Sequence, residues 1–361
     1  VEILRYFDYL NEDILERLFY KKPIEFSKKT EKDVLKYALG AFLYMPATQY
    51  DMIQKNITSE INGERPLAIC LEDAVGASGE KEAIENVEAI LNEVRNNNCE
   101  DTSNLPIIFL RIKNLNQFQK IKDIVFKNQS IITGVLIPKA NAHIIESFIE
   151  LMNSNDINDI YIMPIIETSE FVYREMKEKS FSDLYNTVLK NRDRILSLRI
   201  GLTDILGLFE IRRSEKFSIY ENYICSSFIS DMVTYLNRPE IDIPISGGVS
   251  EFFDMNDKEI RNKYIKEIEL DKFHSLVGKT VIHPKQIQIV QALSSVSFED
   301  YTDAISIIES FGGKYGVSKS ASGKRMNETN PHLIWAKKTV MLSKIYGVLN
   351  EGVTYEELLK F

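Results

Sequence analysis

Six charged residues close five short apolar runs in this chain, and their types fit them to hold a divalent metal and an organic anion together. LAICLED ends on Glu72 and Asp73, PIIFLRI carries Arg111, GVLIPK ends on Lys139, YIMPIIE on Glu167 and SLRIGLTD on Asp204. Glu167 and Asp204 offer two hard oxygen donors, which suits Mg2+, a cation that takes one or two protein carboxylates and fills its other positions with water and substrate oxygens. Arg111 adds a planar, permanently charged fork suited to a carboxylate or an enolate oxygen. Metal and arginine together stabilise negative charge developing beside a carbonyl, which is the electrostatic requirement of making or breaking a C–C bond through an enolate. The alternative is a salt-bridged interior that binds no metal.

These residues lie as many as 132 positions apart, so only a fold that gathers strand ends can unite them. Each run is short, apolar and bounded by turn-formers, the pattern of a strand buried on both faces. Three further runs complete the set: AFLYMPAT (41–48), IDIPISGG (241–248) and KTVIHP (279–284). With Pro46, Asp73, Arg111, Lys139, Glu167, Asp204, Ser246 and His283 as strand ends, the steps are 27, 38, 28, 28, 37, 42 and 37 residues. Each step has room for one helix and its loops. After the second strand, Ile84, Val87, Ile90, Leu91 and Val94 fall on one helical stripe. The reading is an α/β fold, a (β/α)8 TIM barrel with N-terminal and C-terminal helical extensions, in which all strands point their carboxyl ends at one mouth. A doubly wound open sheet is the alternative. The expected layout is an extension over 1–29, a barrel over 30–295 and a C-terminal helical extension over 296–361.

Composition narrows the partners. The 361 residues are 44% hydrophobic and carry a net charge of −9. Without a basic stripe, nucleic acid is not an expected partner, and no apolar run approaches the ~20 residues of a membrane span. The acidic, amphipathic start VEILRYFDYLNEDILERLF does not read as a signal peptide. Cys70, Cys99 and Cys225 are too few and scattered for a disulfide framework. A cytoplasmic location is expected.

Weaker signals surround the mouth. Gly247 and Gly248 follow the seventh strand, where barrel loops bind phosphate or other anionic parts of substrates through backbone N–H groups; a plain turn is the other reading. His283 stands at the eighth strand end, where it lines the mouth or serves as a hydrogen-bonded structural histidine. VGKT (277–280) lacks the first glycine of a phosphate loop and precedes a strand, so it is set aside.

Taken in order, LEDAV, LRIKN, GVLIPKAN, MPIIETSE, GLTDILG and VIHPKQI resemble the successive signatures of the citrate lyase β-subunit superfamily, the HpcH/HpaI aldolases. LRYFDYLNEDILERLF, LGAFLYMPAT and MNETNPHLIWAKK resemble a longer branch of TIM-barrel C–C bond lyases, which the resemblance places beside tellurite-resistance-type operons. The resemblance implies a Mg2+-dependent lyase or condensing enzyme acting on a small keto or hydroxy acid, with or without a CoA or carrier thioester. It implies Glu167 and Asp204 as metal ligands and Arg111 as the residue that binds the substrate's carboxylate or enolate oxygen. Glu72 and Asp73 would hold metal-bound waters and the arginine, and Asp73 equally suits a helix cap. Lys139 matches a fourth-strand residue without a fixed role. Where related lyases carry an Asp that reaches a neighbouring subunit's site, this chain has Asn327 and Glu328 within SGKRMNETNP. That departure leaves the proton-transfer step open, with Glu328 the nearest candidate.

The tail reads as a helix over FEDYTDAISIIESF, a mobile Gly/Ser/Lys-rich stretch, and a second helix opened by Pro331. The expectation is a lid whose Lys314, Lys319, Lys324 and Arg325 dock on an acidic mouth, in a homo-oligomer built as a trimer or a dimer of trimers.

Overall fold

A computed structural model describes residues 4–57, 66–97 and 107–361. Cys99 lies outside the described residues. Eight parallel strands form the centre: β1 (Ala41–Pro46), β2 (Leu67–Cys70), β3 (Ile108–Arg111), β4 (Ile132–Ile137), β5 (Tyr161–Ile166), β6 (Leu198–Ile200), β7 (Ile245–Ser246) and β8 (Lys279–Val281). Neighbours pair in chain order, β8 pairs with β1, and a parallel bridge between Gly247 and Lys279 joins β7 to β8. The sheet is therefore a TIM barrel and not an open doubly wound sheet. Eight helices follow the strands in turn: α1 (Tyr50–Ile57), α2 (Glu80–Asn97), α3 (Leu115–Lys127), α4 (Ala142–Asn153), α5 (Lys177–Lys190), α6 (Tyr223–Leu236), α7 (Lys258–Phe273) and α8 (Pro284–Ser294). On α2, Val87, Ile90, Leu91 and Val94 are buried and Ile84 packs beside them, so the stripe faces the barrel.

Residues alternate along each strand between the helix layer and the barrel interior. Leu43, Ile69 and Leu110 join the outer cluster, whereas Phe42, Ala68, Phe109, Leu136 and Met163 fill the interior. Behind β8 lies an ionic cluster centred on the buried Lys279, Glu267 and Asp271. Lys279 Nζ contacts Glu267 Oε1 at 2.8 Å and Asp271 Oδ2 at 2.7 Å, Tyr220 donates to Asp271 Oδ1 at 2.5 Å, and Arg213 pairs with Glu267. Lys279 of the VGKT string thus serves the packing of β8 against α7.

The termini cover the barrel end opposite the mouth. A helix at Glu12–Leu18 packs Leu15 and Leu18 into the interior cluster, and strand Phe19–Lys21 pairs antiparallel with Val348–Leu349. Two tail helices, α9 (Phe298–Ser310) and α10 (Thr329–Tyr346), pack on each other. At the end of α10, Tyr346 stacks on Tyr6 at 4.7 Å and donates to the Tyr37 carbonyl at 2.8 Å, next to the amino end of β1. Between the helices, the stretch expected to be mobile forms an antiparallel hairpin of β9 (Val317–Lys319) and β10 (Met326–Glu328). Arg325 is held by Asp300 at 2.6 Å and Asp303 at 3.1 Å, both on α9. The tail's own acids therefore neutralise the arginine that was expected to seek the mouth. Among the described residues, no helix is long and apolar enough to cross a membrane.

Candidate active site

Arg111, Lys139, Glu72, Asp73, Glu167 and Asp204 do converge on one mouth. Glu72 is the hub. Its Oε2 accepts from Arg111 Nη2 at 2.6 Å and its Oε1 from Lys139 Nζ at 3.1 Å. Asp73 contacts Arg111 Nη2 at 3.2 Å, and Lys139 Nζ lies 3.6 Å from Asp204 Oδ1. Glu72, Arg111 and Glu167 are buried, while Asp73 is exposed and Asp204 and Lys139 are partly open to solvent. Asp204 does not end a strand as the sequence pattern suggested. β6 stops at Ile200, and Asp204 sits in the first turn of a short helix, Leu202–Gly207, which turns it toward the pocket.

Two backbone features set the Glu167 carboxylate. Lys139 adopts φ +50, unusual for a residue with a side chain, and its N–H donates to Glu167 Oε1 at 2.9 Å. Gly201 leaves the space that the carboxylate fills, for a Cβ there would lie 2.0 Å from Glu167 Oε2. Burial first, and then the charge of Asp204, push the Glu167 carboxyl up to about 7. Burial likewise raises Glu72, with Arg111 pulling the other way, whereas Asp73 is held low by Glu72 and Arg111 against the effect of its partial burial. Burial disfavours the Lys139 ammonium, but Glu72 and Asp204 outweigh it and keep its affinity for the proton above the ordinary value.

A buried carboxylate whose ionisation is opposed by burial and by a neighbouring acid, as at Glu167, has the electrostatics of a cation site. Glu167 and Asp204 fit Mg2+ as a two-carboxylate wall that leaves other positions for water and ligand. Among the described residues no group of three or more His, Cys, Asp or Glu side chains forms a closed metal cage, so such an ion would depend on those extra oxygens. The pocket is partly a salt-bridged interior as well: Glu72 and Arg111 are paired without any metal.

Other predicted residues have different surroundings. His283 caps α8, accepting from Lys285 N–H at 3.1 Å, and its ring stacks on Phe253 at 5.1 Å; these are the contacts of a structural histidine. The Gly247 amide donates to the Gly278 carbonyl at 3.0 Å in closing the barrel, so it is not free for an anion. A Cβ on Gly247 would meet Asp271 at 2.6 Å, and one on Gly248 would meet Leu202 at 2.9 Å, which gives both glycines packing reasons. Glu328 heads α10 with its N–H donating to His332 Nδ1 at 3.0 Å, and Asn327 is buried, donating to Asp303 at 3.0 Å. Neither belongs to the cluster around Glu72 and Arg111.

Two residues under the pocket were missed at the level of sequence. Arg199 on β6 is buried in the barrel interior, and Tyr44 on β1 is partly buried. The signal was a charge in the middle of an apolar strand, where an arginine is rarely placed without a task.

A charged mouth of this composition sits at the carboxyl ends of the strands of a TIM barrel, where enzymes of this fold carry their active sites. The chain matches the family described as C–C bond lyases of the TIM-barrel fold over residues 33–348, and it belongs to that family. No curated protein sequence matches the chain. Among solved structures, it is similar to Mycobacterium tuberculosis CitE in complex with magnesium, acetoacetate and coenzyme A, with a TM-score of 0.59, 16% identity, and coverage of 86% of this chain and 99% of that one. It is also similar to the citrate lyase β subunit of the same organism complexed with oxaloacetate and magnesium, with a TM-score of 0.51, 16% identity, and coverage of 71% and 96%. These likenesses establish the fold.

Proposed function

We propose that this protein is a Mg2+-dependent C–C bond lyase or condensing enzyme that works through an enolate on a small keto or hydroxy acid or its acyl thioester. The observation that carries the reading is the buried Glu167 carboxylate beside Asp204, facing the clamped Arg111 across one mouth. Glu167 and Asp204 would hold the ion, which when bound polarises the carbonyl beside the bond that breaks. Arg111, held by Glu72 and Asp73, presents its fork to the substrate carboxylate or the enolate oxygen. Lys139 balances Glu72 and Asp204 and, being half-exposed, is free to move aside when a cation and ligand enter. The magnesium, keto acids and coenzyme A of the CitE complexes support this ligand class, including a thioester.

The exposed apolar residues of the tail, Tyr315, Val317, Met326, Ile334 and Trp335, support a homo-oligomer, which we take as a trimer or hexamer with the hairpin near Glu328 as a lid on the same or an adjacent mouth. A non-catalytic ligand-binding role is the second reading, favoured by Asn327, whose buried bond to Asp303 commits it to packing where related lyases use an Asp. The test is turnover of citramalyl-, malyl- and citryl-thioesters, with oxaloacetate hydrolysis assayed alongside to separate a metal-enolate hydrolase. Thioester cleavage abolished in the Glu167→Gln, Asp204→Asn double variant supports the lyase. Absence of turnover with intact Mg2+ and keto-acid binding favours the binding protein.

A further inference from the structure

Beneath Arg111 the barrel interior holds a second guanidinium that the mouth's ion pairs do not use. Arg199 is 2% exposed, its charge lies 4.5 Å from the centre of the Phe42 ring, and its Nε has no partner among the described residues. Its Nη2 donates to Thr280 Oγ1 at 2.6 Å, and the Tyr44 hydroxyl is within hydrogen-bonding reach of both Arg199 and Thr280. A guanidinium has donors only, so the phenol and threonine oxygens must both accept from it. Having accepted from Arg199, Thr280 has its own proton left to give to the phenol. Facing the Arg199 cation, the Tyr44 oxygen turns its lone pairs toward the guanidinium and its proton away from it. The Arg111 guanidinium stacks over the same ring at 5.4 Å, which puts Tyr44 at the floor of the anion pocket.

We propose that Tyr44 is a substrate-contact residue that donates its hydroxyl proton in a hydrogen bond to the carbonyl oxygen of the bound keto acid, and that Arg199 is the positioning residue that orients the phenol for this. The inference rests on the keto-acid reading of the same pocket. It also explains a buried charge that would otherwise be a liability: Arg199 adds a cation beneath a mouth whose four carboxylates outnumber Arg111 and Lys139, and so lowers the repulsion that an anionic guest meets there.

The test is isotope-edited infrared spectroscopy of [2-13C]pyruvate bound to the full chain with Mg2+, combined with calorimetry. In the wild type the carbonyl band should move to lower frequency on binding. In Tyr44→Phe the band should return toward its free position and pyruvate affinity should fall about tenfold, the loss of one hydrogen bond, with Mg2+ affinity unchanged. Arg199→Met should release the band although the phenol remains, and Arg199→Lys, kept as the variant that preserves the buried charge, should restore part of the shift. A wild-type band and affinity in Tyr44→Phe overturns the contact while leaving the keto-acid reading intact. A wild-type band in Arg199→Met, or in the neutral Arg199→Gln should the former not fold, overturns the positioning role. Absence of pyruvate binding to the wild type overturns both the inference and the reading beneath it.

Discussion

Replacing Gly201 by alanine tests the geometry of the metal wall without touching a charged group. The backbone at Gly201 has φ −106 and ψ 81, away from the left-handed region, so the conformation itself does not demand glycine. What excludes a side chain is Glu167: the new Cβ would lie 2.0 Å from its Oε2, 2.6 Å from its Cβ and 2.9 Å from its Cδ. Neither partner yields easily, because Gly201 N–H donates to the Ile166 carbonyl at 3.1 Å and Glu167 Oε1 is held by Lys139 N–H. Relieving such an overlap in a packed site costs about 1–3 kcal/mol. If the carboxylate rotates away, one of the two proposed protein ligands is lost, and at 1.4 kcal/mol per factor of ten the Mg2+ affinity should drop at least about tenfold. Titration calorimetry with Mg2+ and a thermal melt read the two effects separately. Gly207→Ala is the control, since nothing lies within 4 Å of its Cβ position; it should keep full Mg2+ affinity and an equal or higher Tm. Wild-type Mg2+ binding in Gly201→Ala would refute the assignment of Glu167 as the ligand whose place this glycine secures.

Arg111→Lys keeps a charge but loses the fork, and should weaken keto-acid binding by roughly 2 kcal/mol; unchanged affinity in the folded variant would contradict a bidentate role. Mg2+ binding should rise with pH and level off above about 7, because the proton that burial and Asp204 favour on Glu167 competes with the ion. The stability sign is the reverse. A carboxyl raised from 4.5 to about 7 stabilises the metal-free fold fully below 4.5, and this is lost as pH climbs through 7, on the order of 3 kcal/mol. Glu167→Gln should flatten both profiles, and a pH-independent Mg2+ isotherm in the wild type would oppose the argument. Lys279→Met should strand Glu267 and Asp271 in the interior and cost about 3–5 kcal/mol in chemical denaturation; a loss under 1 kcal/mol would show the cluster to be self-sufficient.

The sequence by itself determined the barrel and most of its mouth. Buried parallel strands are written as short apolar runs, and a charge at each end survives only where it meets the mouth, so Glu72, Arg111, Lys139 and Glu167 were legible from local pattern alone. Arg199 stands out in the sequence only as a charge inside an apolar strand, and Tyr44 does not stand out at all, because local pattern does not tell inward from outward positions of a doubly buried strand. Which of them looks up into the pocket depends on register and barrel closure. His283 shows the same limit: an N-cap and a mouth residue occupy the same place in sequence, and only the Lys285 amide and the Phe253 ring select the cap. For the tail, glycine and serine content suggested motion. Tertiary structure overrode that tendency, since Asp303 on α9 accepts from Ala321, Arg325 and Asn327 and pins the hairpin. Composition reports what a segment can bury, but it says nothing of a buried acid supplied by a helix packed against it.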